Sequence, residues 1–449
     1  MRSLLLCLPL IAAPALAAQD ITLQRYIVTF PQHQRVSYQG LFTQNFPQGF
    51  PVGIGSGITF TGMDNGVMTF ATVTDRGPNA DAPEVDGKEG KIFAAPDFTP
   101  MLMILRVGAN DAQATEARPL QDNGLRISGL PLPGGQVGST GEIPLNDRLE
   151  RLRFDKRGLD PEGITPDGAG GYWLADEYGP FLVHIDTAGN ILTRKGPQAT
   201  QGQQTEAGGL PTLLQWRQPN RGFEGVTRLP DGRIIAAVQS TLDIEGKTRN
   251  TSPVIRLLSY DPASGATKMY AYPIDSNQYV KNSDAKIGDL TTLDNRHVLL
   301  IEQGKDPAGK MHNRIIQVDI GDASDLTAFD ENPVEFGDLA AMLDRGVRPV
   351  KKRQIVDLAD VGWRHEKAEG LTLVDATTLV VTNDNDFGLQ GDLIAPVAAA
   401  KKITQYQLGN QALLYQQQPV KTRLQLSPLP AEEALSALWV LHLPQPLPL

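Results

Sequence analysis

A short pattern occurs five times along the chain and limits the folds that the chain can adopt. Each copy starts with a small or acidic residue, continues with Gly or an acid, an aliphatic residue and Thr, and leads through a turn into an apolar run. The copies begin at residues 56, 162, 224, 288 and 369. Turn sequences such as Pro-Asp-Gly between β-branched runs predict β-hairpins. Five similar hairpins indicate one repeat architecture rather than unrelated domains.

The repeat predicts an all-β fold, a β-propeller of about six blades, within a range of about five to seven. A four-stranded blade takes roughly 40–50 residues. The long interval between the copies at 56 and 162 therefore has room for a blade whose hairpin is not evident. The strand expected at 438–443 would close the ring against the first blade and hide the free edges. A β-sandwich with coincidental hairpins is the alternative.

The N-terminus is typical of a secretory signal peptide, which we place at residues 1–17. Arg2 supplies the positive start, an apolar run follows at 4–13, and Ala15-Leu16-Ala17 is a small-x-small cleavage site. Cys7, the one cysteine, lies inside this segment, so the exported chain is expected to have no disulfides. These features predict a periplasmic or secreted protein.

The remaining chain is expected to form one propeller domain at 18–443, with a Pro-rich tail at 444–449. The chain has a net charge of −10, which gives no electrostatic basis for binding nucleic acid or anionic membranes. Apart from the signal, no stretch approaches the length of a membrane helix, so stable membrane insertion is not expected. We expect a monomer.

The hairpin geometry brings acidic residues together. The first residue of one strand and the last residue of its partner lie at the same end of a hairpin, and blades repeat around an axis, so these ends meet at one mouth of the central channel. Such crowding is unfavourable unless a cation neutralises it, and Ca²⁺ accepts carboxylate oxygens. The expected metal ligands are Asp75, Glu162, Asp176, Glu224, Asp289, Glu302, Glu369 and Asp384, with Glu177 beside them. Taken singly, each of these acids could equally be a turn or cap residue.

Basic residues stand next to the same repeat positions. They are Arg76, Arg221, Lys286 and Lys367. One interpretation is that they pair with the carboxylates. The other is that some of them hold an anionic substrate beside the metal, because Arg binds phosphate or carboxylate with a fork of donors.

Several other chemistries do not fit the sequence. The six His residues stand singly, with no His-Glu-x-x-His motif, so a zinc site built on His is not expected. There is no Gly-x-Ser-x-Gly elbow and no P-loop, which argues against an α/β-hydrolase and a nucleotide-binding fold.

Taken together, these motifs resemble the exported bacterial phytase-like propeller family described as having "esterase-like activity of phytase". The resemblance runs from about residue 40 to 443 and rests on Asp75-Arg76-Gly77-Pro78-Asn79, Asp176-Glu177-Tyr178-Gly179-Pro180-Phe181, Asn220-Arg221-Gly222-Phe223-Glu224-Gly225, Glu302-Gln303-Gly304, Asn313-Arg314-Ile315, and Glu369-Gly370-Leu371 with Asn383-Asp384-Asn385-Asp386-Phe387-Gly388. It implies a propeller outside the cytoplasm and a relation to calcium-dependent propeller phytases. The fourth copy departs from the Glu-Gly pattern with Gly288-Asp289, which puts one expected ligand in doubt.

The leading hypothesis is a Ca²⁺-dependent phosphoester or ester hydrolase acting on a small anionic substrate. The metal would polarise the ester oxygen and supply a hydroxide. Arg76 and Arg221 would stabilise developing negative charge, and Glu177 completes the catalytic set. Two alternatives remain: a lactonase on the same scaffold, and a non-catalytic envelope propeller in which Ca²⁺ is structural.

Overall fold

The computed structural model describes residues 21–31, 34–200, 202–205, 207–410, 412–447 and 449. The expected signal peptide, with Cys7, lies outside the described residues. Within these ranges, the helices are all too short or too polar to cross a bilayer. The expected tail after 443 forms no strand or helix at 444–447, yet Leu447 is buried in the core.

Strands dominate the described chain. In chain order they are β1 (Thr22–Thr29), β2 (Gly57–Asp64), β3 (Val67–Val73), β4 (Asn79–Asp81), β5 (Gly90–Phe93), β6 (Met101–Val107), β7 (Ala112–Pro119), β8 (Gln121–Asp122), β9 (Leu125–Arg126), β10 (Ile143–Leu145), β11 (Pro161–Pro166), β12 (Tyr172–Asp176), β13 (Phe181–Ile185), β14 (Ile191–Lys195), β15 (Phe223–Arg228), β16 (Ile234–Val238), β17 (Val254–Tyr260), β18 (Thr267–Pro273), β19 (Lys286–Thr292), β20 (His297–Lys305), β21 (Met311–Asp319), β22 (Lys351–Asp357), β23 (Ala368–Asp375), β24 (Thr378–Asn383), β25 (Leu389–Ile394), β26 (Gln407–Leu408), β27 (Leu413–Tyr415), β28 (Gln418–Pro419), β29 (Arg423–Pro428) and β30 (Ala437–His442).

Helical structure is scarce. The α-helix of the described residues is α1 (Leu339–Asp344), which Asp338 caps by accepting the backbone N–H of Ala341. Short 3₁₀ helices lie at Thr43–Asn45, Thr212–Trp216, Ile244–Gly246, Ser276–Gln278, Asn282–Asp284, Leu326–Phe329, Val334–Phe336, Leu358–Val361, Asp386–Gly388 and Ile403–Gln405.

The all-β fold is propeller-like, and five four-stranded antiparallel units can be distinguished in it, of which the first and the fifth are joined in one eight-stranded sheet. From the axis outwards, the units are β2-β3-β6-β7, β11-β12-β13-β14, β15-β16-β17-β18, β19-β20-β21-β22 and β23-β24-β30-β1. The innermost strands contact one another in the cyclic order β2, β11, β15, β19, β23 and back to β2. All five sequence repeats therefore lie on the innermost hairpins.

The sixth unit expected between the first two repeats is not found among the described residues. Instead, β6 and β7 complete the first unit, and the rest of this interval holds the small sheet β10-β5-β4 and the hairpin β8-β9. The expectation of about six blades is therefore not confirmed. The interval is long because it holds these two small sheets in addition to β6 and β7.

The strand expected at 438–443 is present as β30. It lies between β24 and β1, and β1 also pairs in parallel with β7 of the first unit through Val28 and Thr29. Residues 22–29 thereby supply the outermost strand of the fifth unit.

Strands in the middle of the units are buried on both faces. Every residue of β16, β17 and β24 is buried. Adjacent units cover both faces of a blade, which explains why these runs read as continuously apolar rather than alternating.

The Gly of the repeat lets the innermost strands approach closely at the axis. A Cβ on Gly57 would lie 2.6 Å from Cα of Gly163, and one on Gly163 would lie 2.9 Å from Cα of Gly225. A Cβ on Gly225 would lie 2.5 Å from Cα of Asp289. These backbones therefore have no room for a side chain, and they form a floor across the channel.

Asp289 lies in this floor and ties four units together. Its carboxylate accepts backbone N–H groups from Ile58, Val226, Leu290 and Leu371, at 3.3, 3.4, 2.8 and 3.2 Å. The side chain is fully buried, and burial raises its pKa well above the ordinary value while the four donors act in the opposite direction.

The Thr of the repeat links neighbouring units below the floor. Its hydroxyl oxygen accepts a backbone N–H from the innermost strand of the next unit, which satisfies a buried donor. The three links are Arg228 N to Thr165 Oγ1 at 3.0 Å, Leu373 N to Thr291 Oγ1 at 3.2 Å and Phe60 N to Thr372 Oγ1 at 3.0 Å.

Two long segments cover part of the mouth. Residues 74–100 join β3 to β6, and residues 384–436 join β24 to β30, so both leave the propeller at the end that carries the repeat acids. They meet where Glu84 exchanges backbone hydrogen bonds with Tyr406 and Leu408, each 2.8 Å long.

Candidate functional site

A β-bulge directs each Glu of the repeat into the mouth. The pairing of β11 with β12 shifts register between Pro161 and Gly163, which leaves Glu162 unpaired. The same shift occurs at Glu224 in β15 and at Glu369 in β23. A bulge leaves its extra residue outside the ladder and can re-aim that side chain. The following Gly then forms the floor beneath it.

Three of these carboxylates converge. One oxygen each from Glu162, Glu224 and Glu369 lie within 4.8 Å of one another, and all three side chains are buried. Ca²⁺ binds oxygen at about 2.4 Å, so ligands on opposite sides of the ion lie up to about 4.8 Å apart. The spacing of the three oxygens fits such an ion.

A second group shares Glu162 with the first. Carboxylate oxygens of Asp75, Asp160 and Glu162 also lie within 4.8 Å of one another. Asp160 is 1% exposed, and in the described structure its Oδ2 accepts no hydrogen bond and has only the Nε of Arg76, 3.4 Å away, as a charged neighbour. A buried carboxylate oxygen without a donor is costly, and a cation bound nearby would lower that cost.

Glu177 joins the cluster through an amide bridge. The Nε2 of Gln239 donates to Glu177 Oε1 at 2.8 Å and to Glu224 Oε2 at 2.7 Å. Gln239 stands at the repeat position that Asp176 and Glu177 occupy in the second unit, so the hairpin geometry accounts for its place.

Asp384 completes the cluster on the side of the fifth unit. Its carboxylate accepts a hydrogen bond from Lys367 Nζ at 2.6 Å, and the same ammonium donates to Asp386 at 3.0 Å. Burial raises the pKa of Glu369 well above its ordinary value, and Asp384 is the neighbouring acid that adds most to this rise. Lys367 thus pairs with the rim of the cluster.

The mutual repulsion of these acids alters their titration. Burial raises the pKa of Glu224 to about 7, with Asp160 adding to the shift and Lys286 opposing it. Burial, and then neighbouring carboxylates, raise the pKa of Glu162 and of Glu177 well above the ordinary value. The same causes raise the pKa of Asp75. The cluster carries more acid than its own basic residues neutralise.

Three predicted metal ligands lie elsewhere. Asp289 is in the floor, where backbone donors occupy its oxygens. Glu302 is buried between the third and fourth units and accepts from the hydroxyls of Tyr272 and Tyr279 and from Lys352. Asp176 accepts the backbone N–H of Tyr178 at 2.7 Å, and burial raises its pKa to about 7. In the fourth unit, Gly288 takes the place of the Glu and Asp289 that of the Gly, so the ring of acids is interrupted there.

Arg76 pairs with carboxylates, as in the first of the two interpretations, and is not free at the mouth for an anionic substrate. It is 6% exposed, its Nη1 lies 3.3 Å from Glu142 Oε2, and its Nε lies 3.4 Å from Asp160 Oδ2. The same Nη1 donates to Asn220 Oδ1 at 2.9 Å. A guanidinium held in this way neutralises the base of the cluster rather than contacting a ligand.

Arg221 and Lys286 are more accessible. Arg221 is half-buried, and its Nη1 donates to the backbone carbonyl of Ser283 at 2.7 Å. Neither side chain forms an ion pair with a described carboxylate. Burial and then Arg249 lower the pKa of Arg221, and Glu177 and Glu224 oppose that shift. Lys286 opposes the rise that burial causes in the pKa of Glu177 and of Glu224.

Sequence reasoning missed Asp160 and Glu142. Asp160 stands two residues before Glu162, but the corresponding residues of the other repeats are not acidic, so the repeat gives no signal for it. Glu142 lies in the long segment between the first two repeats, where no pattern applies. Asp160 belongs to the second carboxylate group, and its Oδ2 accepts no hydrogen bond although Arg76 lies 3.4 Å away.

The raised pKa of Glu224 predicts an unusual pH dependence for the metal-free protein. The ordinary value is 4.5, so the folded protein binds more protons than the unfolded chain between about pH 4.5 and 7, and stability is lost as pH rises through that window. We expect unfolding by urea in chelator to show a loss on the order of 1–3 kcal/mol from pH 5 to 8, relative to Glu224→Gln.

Comparison with that variant removes the contribution of other groups. One of these groups is His365. Burial lowers its pKa to about 4, so the folded protein loses stability as pH falls below 6.5. Added Ca²⁺ should reverse the trend, because ligands bind the ion in their ionised form. An identical pH profile in the wild type and Glu224→Gln would contradict the prediction.

A protein-family model described as "Phytase-like: Esterase-like activity of phytase" matches residues 51–387 of the chain. A curated relative, an uncharacterized secreted protein of Arthroderma benhamiae, is 29% identical over 133 residues. The match covers 25% of this chain and 26% of that relative, so the chain spans about a quarter of its length. The relative is fungal and gives no support to the bacterial origin that the resemblance implied.

Solved structures resemble the chain only loosely. The catalytic domain of the Coprinopsis cinerea GH62 α-L-arabinofuranosidase is 8% identical with a TM-score of 0.37, covering 94% of this chain and 97% of that one. The Podospora anserina α-L-arabinofuranosidase is 9% identical with a TM-score of 0.34, covering 94% and 97%. Virginiamycin B lyase from Staphylococcus aureus is 11% identical with a TM-score of 0.25, covering 66% and 96%.

Proposed function

Because the chain belongs to the phytase-like family described by esterase-like activity of phytase, we propose that it is an exported, metal-dependent hydrolase of small anionic esters or phosphoesters. The observation that carries this proposal is the convergence of Glu162, Glu224 and Glu369, whose oxygens lie within 4.8 Å of one another. Oxygen donors alone, with no sulfur or imidazole, suit Ca²⁺. We propose the periplasm or the exterior as its location, and a monomer as its working form.

The residues present fit a cation in two adjoining places that share Glu162. Glu224 and Glu369 would hold it on one side, and Asp75 and Asp160 on the other, with Asp384 at the rim. When bound, such a cation polarises an ester oxygen and lowers the pKa of a water molecule. Asp289, Glu302 and Asp176 are not assigned as ligands.

The protein side chains would orient the substrate and move protons. Arg221 lies at the mouth without a carboxylate partner among the described residues, and it would bind oxygen atoms that gain negative charge. Glu177 lies next to Glu224 across the Gln239 amide, and we assign it the proton acceptor for the attacking water. Arg76 would stabilise the folded cluster by neutralising the charges of Asp160 and Glu142.

The direct test is turnover of an aryl phosphate, an aryl acetate, phytate and a lactone by the purified protein, with Ca²⁺ and with chelator. We expect Ca²⁺-dependent release from at least one ester and loss of at least about 10³-fold with chelator. Lactone opening alone would identify a lactonase. A rise in melting temperature with Ca²⁺ but no turnover of any ester would refute the enzyme and leave a binding propeller.

A further inference from the structure

A cavity of about 260 Å³ opens beside the carboxylate cluster, over the third, fourth and fifth units. It reaches Glu369, and Arg221, Lys286, Lys305 and Lys367 contribute basic groups to its wall. The segments 74–100 and 384–436 lie over other parts of the mouth. A ligand in this cavity is therefore in contact with basic groups beside the cluster.

Only some of these basic groups are free to bind a ligand. Lys305 pairs with Glu366 at 2.9 Å, and Lys367 is held by Asp384 and Asp386. Lys286 and Arg221, in contrast, have no ion pair within the described part of the chain, and Arg221 donates one hydrogen bond to a backbone carbonyl. Two positive charges on the cavity wall thus remain uncompensated by direct contact.

The remaining charges of the cavity wall are negative. Besides Glu369, Asp284 lines it, and Glu366 lines it as the partner of Lys305. A ligand with one phosphate between Arg221 and Lys286 would be neutralised, because a phosphate monoester carries close to two negative charges at neutral pH. Further phosphates on the same ligand would face acids and be repelled.

We propose that Arg221 and Lys286 form a subsite for a single phosphate group, so that the site selects singly phosphorylated ligands over polyphosphorylated ones. This inference rests on the proposed function, because the cation beside the subsite is part of that proposal. Arg221 supplies a planar fork of donors that matches phosphate oxygens, and Lys286 supplies a point charge. Lys286 is the new specificity residue.

The test uses phenylphosphonate, a non-hydrolysable probe with one tetrahedral anion, titrated by calorimetry into the full protein in Ca²⁺-containing buffer. Lys286→Met should weaken its binding at least about 10-fold, as expected for loss of a charge-assisted contact. Lys286→Arg should stay within about threefold of the wild type, because it retains the charge. The exposed Lys268 provides a matched control, and Lys268→Met should bind like the wild type. Circular dichroism establishes that each variant is folded.

Benzoate and inositol hexakisphosphate complete the comparison, and both should bind at least about 10-fold more weakly than phenylphosphonate. Unchanged phenylphosphonate binding in folded Lys286→Met, or tighter binding of the hexakisphosphate, would overturn the subsite. The proposed hydrolysis is tested separately. Lys286-dependent binding without turnover of any ester would keep the subsite and refute the enzyme. Ester turnover by the wild type, together with unchanged phenylphosphonate binding in Lys286→Met, would support the enzyme and refute the subsite.

Discussion

Replacing Glu162 and Glu224 together with Gln is expected to abolish calcium-dependent hydrolysis, with a fall of at least about 10³-fold. Glu162 belongs to both groups of converging carboxylates, so the double change removes ligands from each. Gln keeps the size of the side chain and one oxygen, and the fold should survive. Substrate turnover and Ca²⁺ titration of the same preparation measure the effect.

The same variant should change stability in opposite directions with and without metal. In chelator it should melt at a higher temperature than the wild type, because two buried and mutually repelling carboxylates become neutral. In Ca²⁺ it should lose the stabilisation that a ligand of the native state confers. The control Glu245→Gln with Glu331→Gln changes the charge equally at two exposed positions. Full activity of the Glu162→Gln, Glu224→Gln variant would refute the metal site.

Asp289→Ala is expected to cost on the order of 4 kcal/mol or more in free energy of unfolding. Four backbone N–H groups from the first, third, fourth and fifth units would lose their acceptor inside the floor, and each buried donor left unsatisfied costs about 1–3 kcal/mol. The loss is comparable with the whole stability of a typical domain, about 5–15 kcal/mol. Urea unfolding, or the yield of soluble protein where the variant fails to fold, measures it.

Asp289→Asn separates the structural role from the ligand role that the repeat pattern predicts. Asn keeps one acceptor oxygen but directs an NH₂ group at backbone donors, so an intermediate loss of stability is expected. Its Ca²⁺ affinity should equal that of the wild type, since Asp289 lies in the floor and belongs to neither carboxylate group. Asp344→Ala, at an exposed position, should leave stability within about 0.5 kcal/mol. A stable Asp289→Asn protein that no longer binds Ca²⁺ would restore Asp289 as a ligand.

The repeat was sufficient to predict the inner hairpins and most of the acidic cluster. Its Glu, Gly and Thr each have one physical role, since a bulge aims the Glu, the axis excludes any side chain at the Gly, and a neighbouring N–H binds the Thr. Asp289 and Glu302 were misplaced because side-chain direction depends on a register shift within the pair β19 and β20 that the pattern does not encode. The expectation of about six blades was not confirmed for a related reason, since the long interval after Val73 holds small sheets and not another repeat.

The pairing of β1 with β30 has a consequence for how the molecule is made. The second, third and fourth units are each built from one continuous stretch of chain, so each can form as soon as that stretch has been synthesised. The fifth unit cannot, because Thr22 pairs with His442, and its outermost strand must wait for nearly the whole polypeptide to arrive. Non-local pairing of this kind is slow and leaves a strand edge exposed in the meantime. The step that joins these two segments is therefore the one at which newly made chains most need protection from aggregation.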